Sequence, residues 1–346
     1  MTARPSEPTI TGMLTPQLDV ASAAHRARSA QAPAGIPVIR VRGLRKAYGD
    51  HLAVRDVDLD VHRGEVLALL GPNGAGKTTT ISILEGFLEA DAGEVDVLGV
   101  NPAKAPLAWR ERVGMVLQES APEASLTVRE CLQLHAGWYR APRDIDETLA
   151  LAAGELRPAP LAAGELRPAT VGAGGQAGER RRLDVALALV GDPELLFLDE
   201  PTTGFDPAAR RAAWDTIAGL RDLGVTIVLT THYMEEAERL ADRIVVLADG
   251  HVRAEGPPST LGARDRAAAT VRFTLPAGAE LPDELASRAT AMRGRIELLS
   301  AAPMTDLHAL SGWALEAGLE LSDIEVRRPT LEDVYLDLTR TTGSLS

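Results

Sequence analysis

The chain has 346 residues, of which 45% are hydrophobic, and it carries a formal net charge of −13. That length is enough for about two domains, and the acidic balance argues against a general nucleic-acid binder, although a local basic patch at residues 180–182 is not excluded. Cys131 is the one cysteine in the sequence, which excludes a disulfide framework and a thiolate metal site and favours an intracellular location.

The first part of the chain carries no pattern of regular structure. Residues 1–35 are rich in Ala, Pro, Ser and Thr and lack an apolar signal core, so we expect a disordered extension. From residue 38, short strand-like segments separated by turns predict an antiparallel sheet. Later apolar runs, such as VTIVLTT at residues 225–231, are far shorter than the ~18 residues that cross a bilayer. We therefore expect any membrane connection to go through a partner.

The segment GPNGAGKT at residues 71–78 satisfies every position of the G-x-x-x-x-G-K-[ST] phosphate-binding loop. Its glycines permit positive φ and bring backbone N–H groups close to phosphate oxygens. Lys77 is expected to contact the β- and γ-phosphates, and the Thr78 hydroxyl to ligate Mg²⁺. The loop thus predicts a nucleoside triphosphate site formed by Gly71, Pro72, Asn73, Gly74, Ala75, Gly76, Lys77, Thr78 and Thr79.

The surroundings of this loop argue against a glycine-rich turn that fits the pattern by chance. EVLALLG, which ends at Gly71, is typical of a buried strand, and KTTTISILEGFL at residues 77–88 has apolar residues at helical spacing. A region of mixed helix follows at residues 107–151. Strand-like segments at 194–201, 225–232 and 243–250 then alternate with helical patterns, which predicts a parallel α/β sheet.

The segment ELLFLDEP at residues 194–201 carries two adjacent carboxylates near its end. Asp199 is expected to hold Mg²⁺, and Glu200 is the candidate general base that polarises the attacking water. Two solvated carboxylates at a strand end would be the ordinary interpretation if the phosphate loop were missing. Because the loop is present, we favour the catalytic interpretation.

In this order the motifs resemble those of the nucleotide-binding subunit of ATP-binding cassette (ABC) transporters, over residues 38–256. The resemblance implies an α/β fold of the P-loop NTPase class, with an antiparallel β subdomain, a RecA-like parallel sheet core and an inserted helical subdomain. We expect the ABC ATPase domain at residues 36–258, with its helical subdomain at about 119–180. A small α+β extension would follow at residues 259–346.

Four further site residues are implied by the family pattern, with ATP and Mg²⁺ as the ligands. Tyr48 matches the aromatic residue that stacks on adenine, and Gln118 matches the glutamine that contacts Mg²⁺ and water. Asp206 matches the aspartate that communicates across the dimer, and His232 matches the switch histidine that reaches the γ-phosphate. Each has an ordinary structural interpretation when taken alone, but the motifs occur together and in the family's order.

The family's signature motif, L-S-G-G-Q or L-S-G-G-E, is where this sequence departs. The expected positions hold Gly175, Gln176, Ala177, Gly178 and Glu179, and they lack the serine. GAGGQ at residues 172–176 looks more similar but lies three residues too early. We favour the later register, in which Gln176 and Gly178 would contact the γ-phosphate held by the opposite subunit. Loss of the serine hydroxyl predicts weak or altered hydrolysis.

A tandem repeat lies just upstream of this motif. LAAGELRPAP at residues 151–160 is followed at once by LAAGELRPAT at residues 161–170. Two copies are too few for a solenoid, so we interpret the repeat as a duplicated surface loop.

The resemblance also implies partners. The expected assembly is a homodimer that sandwiches two ATP molecules, working with a separate integral-membrane permease whose coupling helix docks near residues 120–131. We expect the chain to be peripheral, on the cytoplasmic face of the membrane, with no nucleic-acid partner. TLEDVYLDLT at residues 330–339, predicted to open a helix near Thr330, resembles the ATPases of drug and antibiotic exporters of the daunorubicin-resistance type. A soluble ABC ATPase outside transport, or a regulatory subunit with weakened hydrolysis, is the alternative.

Overall fold

A computed structural model describes residues 35–116, 126–152, 177–276, 278–292 and 295–340. The predicted disordered extension except Gly35, and most of the tandem repeat, lie outside these residues, as do Gln118 and Gln176. The chain divides into two compact units. One runs to Arg243 and includes Leu247–Val252, and the other contains Ile244–Val246 and the chain from Arg253 onward.

The first unit opens with an antiparallel sheet of three strands in the order β2-β1-β4. Its strands are β1 (Ile39–Tyr48), β2 (His51–Val61) and β4 (Ala92–Val97). The first two form the hairpin that the alternating pattern predicts. The third follows the phosphate loop in sequence and joins the sheet through pairs such as Val41 with Val95, so local pattern alone did not assign it to this sheet.

The second sheet has six strands in the order β5-β6-β7-β3-β8-β9. They are β3 (Val66–Leu70), β5 (Val113–Val116), β6 (Leu195–Asp199), β7 (Thr226–Thr231), β8 (Arg243–Ala248) and β9 (His251–Gly256). Strands β5, β6, β7 and β3 pair in parallel. Every residue of β3, β6 and β7 is buried, which explains their continuous apolar runs. Because these strands are parallel, Leu70, Asp199 and Thr231 end at one edge.

The first unit also contains seven helices in the part of the chain that the structure describes. They are α1 (Lys77–Leu84), α2 (Leu107–Arg110), α3 (Val128–Ala136), α4 (Ile145–Ala152), α5 (Ala177–Leu189), α6 (Pro207–Asp222) and α7 (Met234–Leu240). Helices α3 and α4 lie in the region predicted as the helical subdomain, about 119–180, and α5 begins at the end of that region. They share a small apolar core that includes Val128, Leu132 and Leu183.

Helix α1 is shorter than the apolar spacing suggested. The pattern at residues 77–88 indicated a helix, but α1 ends at Leu84. Gly86 has φ +80°, and a Cβ atom there would lie 2.6 Å from the carbonyl oxygen of Pro102. The chain therefore leaves the helix through a glycine turn that packs against the backbone of another segment.

The second unit contains an antiparallel sheet in the order β11-β12-β10-β13. Its elements are β10 (Ala269–Thr274), α8 (Asp283–Ala286), β11 (Ala289–Met292), β12 (Arg295–Ser300), α9 (Pro303–Glu316), β13 (Ser322–Arg327) and α10 (Leu331–Arg340). Val271, Phe273 and Leu310 are central to its core. Helix α10 begins where the sequence predicted, because Thr330 and Asp333 exchange hydrogen bonds in a capping box.

Candidate nucleotide-binding site

The loop between β3 and α1 depends on three glycines. A Cβ atom at Gly71 would lie 2.4 Å from the carbonyl oxygen of Leu247, and one at Gly76 would lie 2.5 Å from that of Ala53. Gly76 also has φ +96° as it enters α1. Gly74 has φ +81°, and a Cβ atom there would meet nothing within 4 Å. Two glycines therefore permit close backbone packing, and the third leaves open space beside the loop, as a phosphate cradle requires.

Lys77 is folded back across this loop. Its Nζ atom donates hydrogen bonds to the carbonyl oxygens of Gly71, at 2.9 Å, and Pro72, at 3.2 Å. The side chain is 5% exposed. Burial lowers the pKa of Lys77, although the nearby carboxylates of Glu200 and Asp199 oppose that shift. A triphosphate in the loop would exchange these neutral contacts for stronger charge-assisted hydrogen bonds.

Thr230 of the neighbouring strand β7 holds the Asp199 carboxylate and the backbone of Glu200. The Thr230 hydroxyl donates to Asp199 Oδ1, and the backbone N–H of Glu200 donates to Thr230 Oγ1 at 2.9 Å. Glu200 has φ +46°, a left-handed conformation that is rare for residues other than glycine. Such strained backbone is concentrated at functional sites.

Glu200 lies between the phosphate loop and the histidine that follows β7. Its Oε1 atom is 3.9 Å from Lys77 Nζ, and its Oε2 atom is 3.3 Å from His232 Nδ1. The Thr203 hydroxyl donates to Oε2 at 3.0 Å. Glu200 Oε2 and His232 Nδ1 are close but do not form a hydrogen bond. His232 Nδ1 is buried and has no hydrogen-bond partner among the described residues. The structure thus brings a cation, a carboxylate and an imidazole together at the carboxyl edge of the sheet.

The residues present fit a magnesium ion that arrives with a nucleotide. Thr78 is exposed in the first turn of α1, and Asp199 closes β6. Hydroxyl and carboxylate oxygens are the donors that Mg²⁺ prefers, and it usually takes only one or two from the protein and the rest from phosphate and water. Accordingly, no group of three or more acidic, histidine or cysteine side chains able to hold a metal occurs within the described ranges.

The remaining predicted site residues lie at element ends. Tyr48 ends β1 and is 52% exposed. Asp206 precedes α6 and accepts hydrogen bonds from the backbone of Ala208 and Ala209 at 2.8 and 2.9 Å. Gly178 lies in the first turn of α5, which begins at Ala177. Their roles require a nucleotide or a second subunit, so they stay predictions.

Two side chains of this site were not predicted from the sequence. Thr230 donates to the Asp199 carboxylate and accepts from the backbone N–H of Glu200, and Thr203 donates to the Glu200 carboxylate. The only indication of Thr230 in the sequence was its position in LTTH, where two threonines follow an apolar run. Its partner could be identified only from the strand register, in which Asp199 pairs with Thr230 across the parallel strands.

Glu85, just after α1, gives a prediction about pH. The residue is 6% exposed, and burial, reinforced by the charge of Asp199, raises its pKa to about 8 from 4.5. The folded state therefore favours the protonated acid, and its stabilising contribution is lost as pH rises through about 8. We expect the unfolding free energy of the nucleotide-free protein to fall between about pH 5 and 8, by about 5 kcal/mol at most.

A neutral substitution tests this expectation. In urea titrations across that pH range, Glu85→Gln should remove most of the decline and should be more stable than wild type above pH 8. Parallel curves for the two proteins would show that Glu85 is not the responsible group.

The parallel sheet has a phosphate loop after β3, an Asp-Glu pair at the end of β6 and a histidine after β7, which lies between those two strands. This arrangement defines a P-loop ATPase. The ABC transporter family matches residues 54–203, and the family described as ABC transporter domain-containing protein-like, C-terminal domain, matches residues 269–330.

Relatives match most of the chain. Daunorubicin resistance ATP-binding protein DrrA3 of Streptomyces coeruleorubidus is 42% identical over 313 residues, covering 87% of this chain and 95% of that protein. Doxorubicin resistance ATP-binding protein DrrA of Mycobacterium tuberculosis is 35% identical, covering 86% and 92%. Nod factor export ATP-binding protein I of Burkholderia orbicola is 41% identical, covering 72% and 80%. The chain therefore belongs to the ABC transporter family.

Solved structures agree with this assignment. The structure of an ATP-binding subunit of an ABC transporter superposes with a TM-score of 0.56 at 30% identity, covering 64% of this chain and 90% of that one. A dimeric bacterial ABC transporter cassette gives a TM-score of 0.53 at 25% identity, covering 63% and 98%. The predicted fold class and family are confirmed.

Proposed function

We propose that this chain hydrolyses ATP to power efflux of a drug-like or antibiotic-like molecule through a separate permease. The observation that carries the proposal is the position of Glu200, whose carboxylate lies 3.9 Å from Lys77 and 3.3 Å from His232. The relatives named for daunorubicin and doxorubicin resistance support the class of cargo.

The geometry supports a separate role for each of the site residues in hydrolysis. The N–H groups of the loop and Lys77 would hold the β- and γ-phosphates, with Mg²⁺ on Thr78, Asp199 and Gln118 neutralising the charge that develops there. Glu200 would orient the attacking water and take its proton, and His232 would contact the γ-phosphate. Thr230 and Thr203 would keep both carboxylates in place.

The mechanical step would need two copies of the chain. We infer that the ATPase domain, residues 36–258, forms a homodimer in which each ATP stacks on Tyr48 and meets Gln176 and Gly178 of the other copy. Asp206 would lie at the same seam. ATP favours the closed dimer because its phosphates touch both copies, and hydrolysis releases that contact. Residues 259–346 would form the appended extension.

A groove in the first unit is our candidate for the permease contact. Its volume is about 620 Å³, and its lining includes Glu85, Phe87, His135 and Tyr139. Phe87 is 65% exposed, and so is Trp138, which lies in the turn after α3 and packs against His135 of the lining. Such an apolar rim favours burial of a partner segment.

None of the helices within the described ranges has the length and apolar character needed to cross a bilayer. The relatives named as exporter and drug-resistance ATP-binding proteins support a position at the cytoplasmic face of the membrane, bound to a permease.

The proposal is tested by measuring ATP turnover of the purified protein and its co-purification with an integral-membrane permease from the same cells. We expect both magnesium-dependent hydrolysis and a stable complex. Hydrolysis without a membrane partner would favour a soluble ABC ATPase, and nucleotide binding without turnover would favour a regulatory subunit.

The signature motif provides a separate prediction. Replacing Gln176 with Ser and Ala177 with Gly should raise ATPase activity about tenfold, because one restored hydroxyl donor to a charged phosphate is worth about 1.5 to 3 kcal/mol. Ala173→Ser, which restores the serine in the earlier register, is the matched control and should change nothing. Activation by the control and not by the double variant would show that the register is wrong.

A further inference from the structure

An arginine on α6 connects the loop before Asp206 to the segment that carries the switch histidine. The guanidinium of Arg210 lies over the Tyr233 ring, 4.2 Å from its centroid. Its Nη2 atom donates to the carbonyl oxygen of Phe205 at 3.4 Å. Arg210 Nε is buried and has no hydrogen-bond partner among the described residues. The Tyr233 ring is therefore a principal contact of this partly buried guanidinium.

The same tyrosine packs against the histidine of the site. The ring centroids of Tyr233 and His232 are 4.1 Å apart, at an interplanar angle of 40°. The backbone N–H of Tyr233 donates to Thr231 Oγ1 at 2.9 Å, which fixes the turn after β7. A continuous series of contacts thus runs from Phe205 through Arg210 and Tyr233 to His232, and from there to Glu200.

A second connection joins the same two segments deeper in the protein. Glu236, on α7, is fully buried and accepts hydrogen bonds from Thr202 Oγ1 at 2.7 Å and Trp214 Nε1 at 2.9 Å. Thr202 lies on the loop after Glu200, and Trp214 lies on α6. Glu236 therefore connects the loop after Glu200 to α6 and α7, whereas Arg210 and Tyr233 connect the Phe205 end of that loop to His232.

We propose that Arg210 and Tyr233 are positioning residues for ATP hydrolysis, which set the place of the His232 imidazole according to the position of the Phe205–Asp206 loop. The proposal rests on the proposed function, in which Asp206 meets the second copy and His232 meets the γ-phosphate. Cation–π contacts of a partly buried arginine are strong enough to bias a side chain between positions. Docking of the second copy against this loop would thereby set the position of His232 in the subunit that carries the loop.

Steady-state ATPase kinetics of Tyr233→Leu and Arg210→Met test the proposal. We expect each to lower kcat about tenfold, with KM, the affinity for fluorescent ATP and the melting temperature close to wild type. Tyr233→Phe retains the aromatic face and should behave as wild type. The double variant should be no slower than either single one, since residues that act through one contact are not additive.

Arg239→Met is the matched control on the same pair of helices. Arg239 lies over the Trp214 ring at 5.5 Å and pairs with Asp215 at 2.8 Å, so its contacts are with α6 and do not include Tyr233. Its loss should leave kcat unchanged. Wild-type kcat in Tyr233→Leu and Arg210→Met, fully additive losses, or a rise in KM alone would overturn the positioning role. Absence of turnover in wild type would instead overturn the proposed function, and this inference with it.

Discussion

Glu200→Gln should lower kcat for ATP hydrolysis by about 10²- to 10⁴-fold, the contribution typical of a positioned general base. The amide has the same shape as the carboxylate, so the backbone hydrogen bond from Glu200 to Thr230 remains possible. It cannot accept the proton of the attacking water. Binding of MgATP, which depends on the loop and Lys77, should stay within about twofold of wild type.

The measurement is single-turnover hydrolysis alongside equilibrium binding of a fluorescent ATP. Glu235→Gln, an exposed carboxylate in the first turn of α7, is the matched control and should retain full activity. A Glu200→Gln protein that hydrolyses ATP at the wild-type rate would show that another group activates the water.

Lys77→Met should weaken ATP binding by about 10- to 100-fold, because it removes charge-assisted hydrogen bonds worth about 1.5 to 3 kcal/mol. In the nucleotide-free protein the ammonium is buried against two carbonyl oxygens, and its pKa is lowered by that burial. An apolar side chain of similar length fills the same space, so we expect no loss of thermal stability.

Binding and melting are measured together for this variant. Lys104→Met removes a lysine from the short helical turn at Pro102–Lys104, away from the loop, and should bind ATP as wild type does. Unchanged ATP affinity in Lys77→Met would mean that this lysine does not contact the phosphates.

The parts of the site that could be predicted from sequence are those that local pattern determines. The loop at residues 71–79 has fixed spacing and a fixed backbone requirement, and β6 displays Asp199 and Glu200 at the end of a continuous apolar run. These features require no knowledge of which strands are neighbours. The strand pattern around them was therefore sufficient to predict the parallel core.

The unpredicted parts all depend on contacts between distant segments. Thr230 fixes Asp199 only because β6 and β7 pair in that register. Helix α1 stops early because Gly86 packs on the backbone of Pro102, and Arg210 reaches Tyr233 only once α6 and α7 are packed together. Such contacts leave no periodic trace in the sequence.

The most direct measurement of the central claim is calorimetric titration of the purified chain with ATP in the presence of magnesium. The account predicts saturable binding of one nucleotide per chain, abolished or strongly weakened in Lys77→Met and retained in Glu200→Gln. A wild-type protein that retains no adenine nucleotide when magnesium is supplied would contradict it.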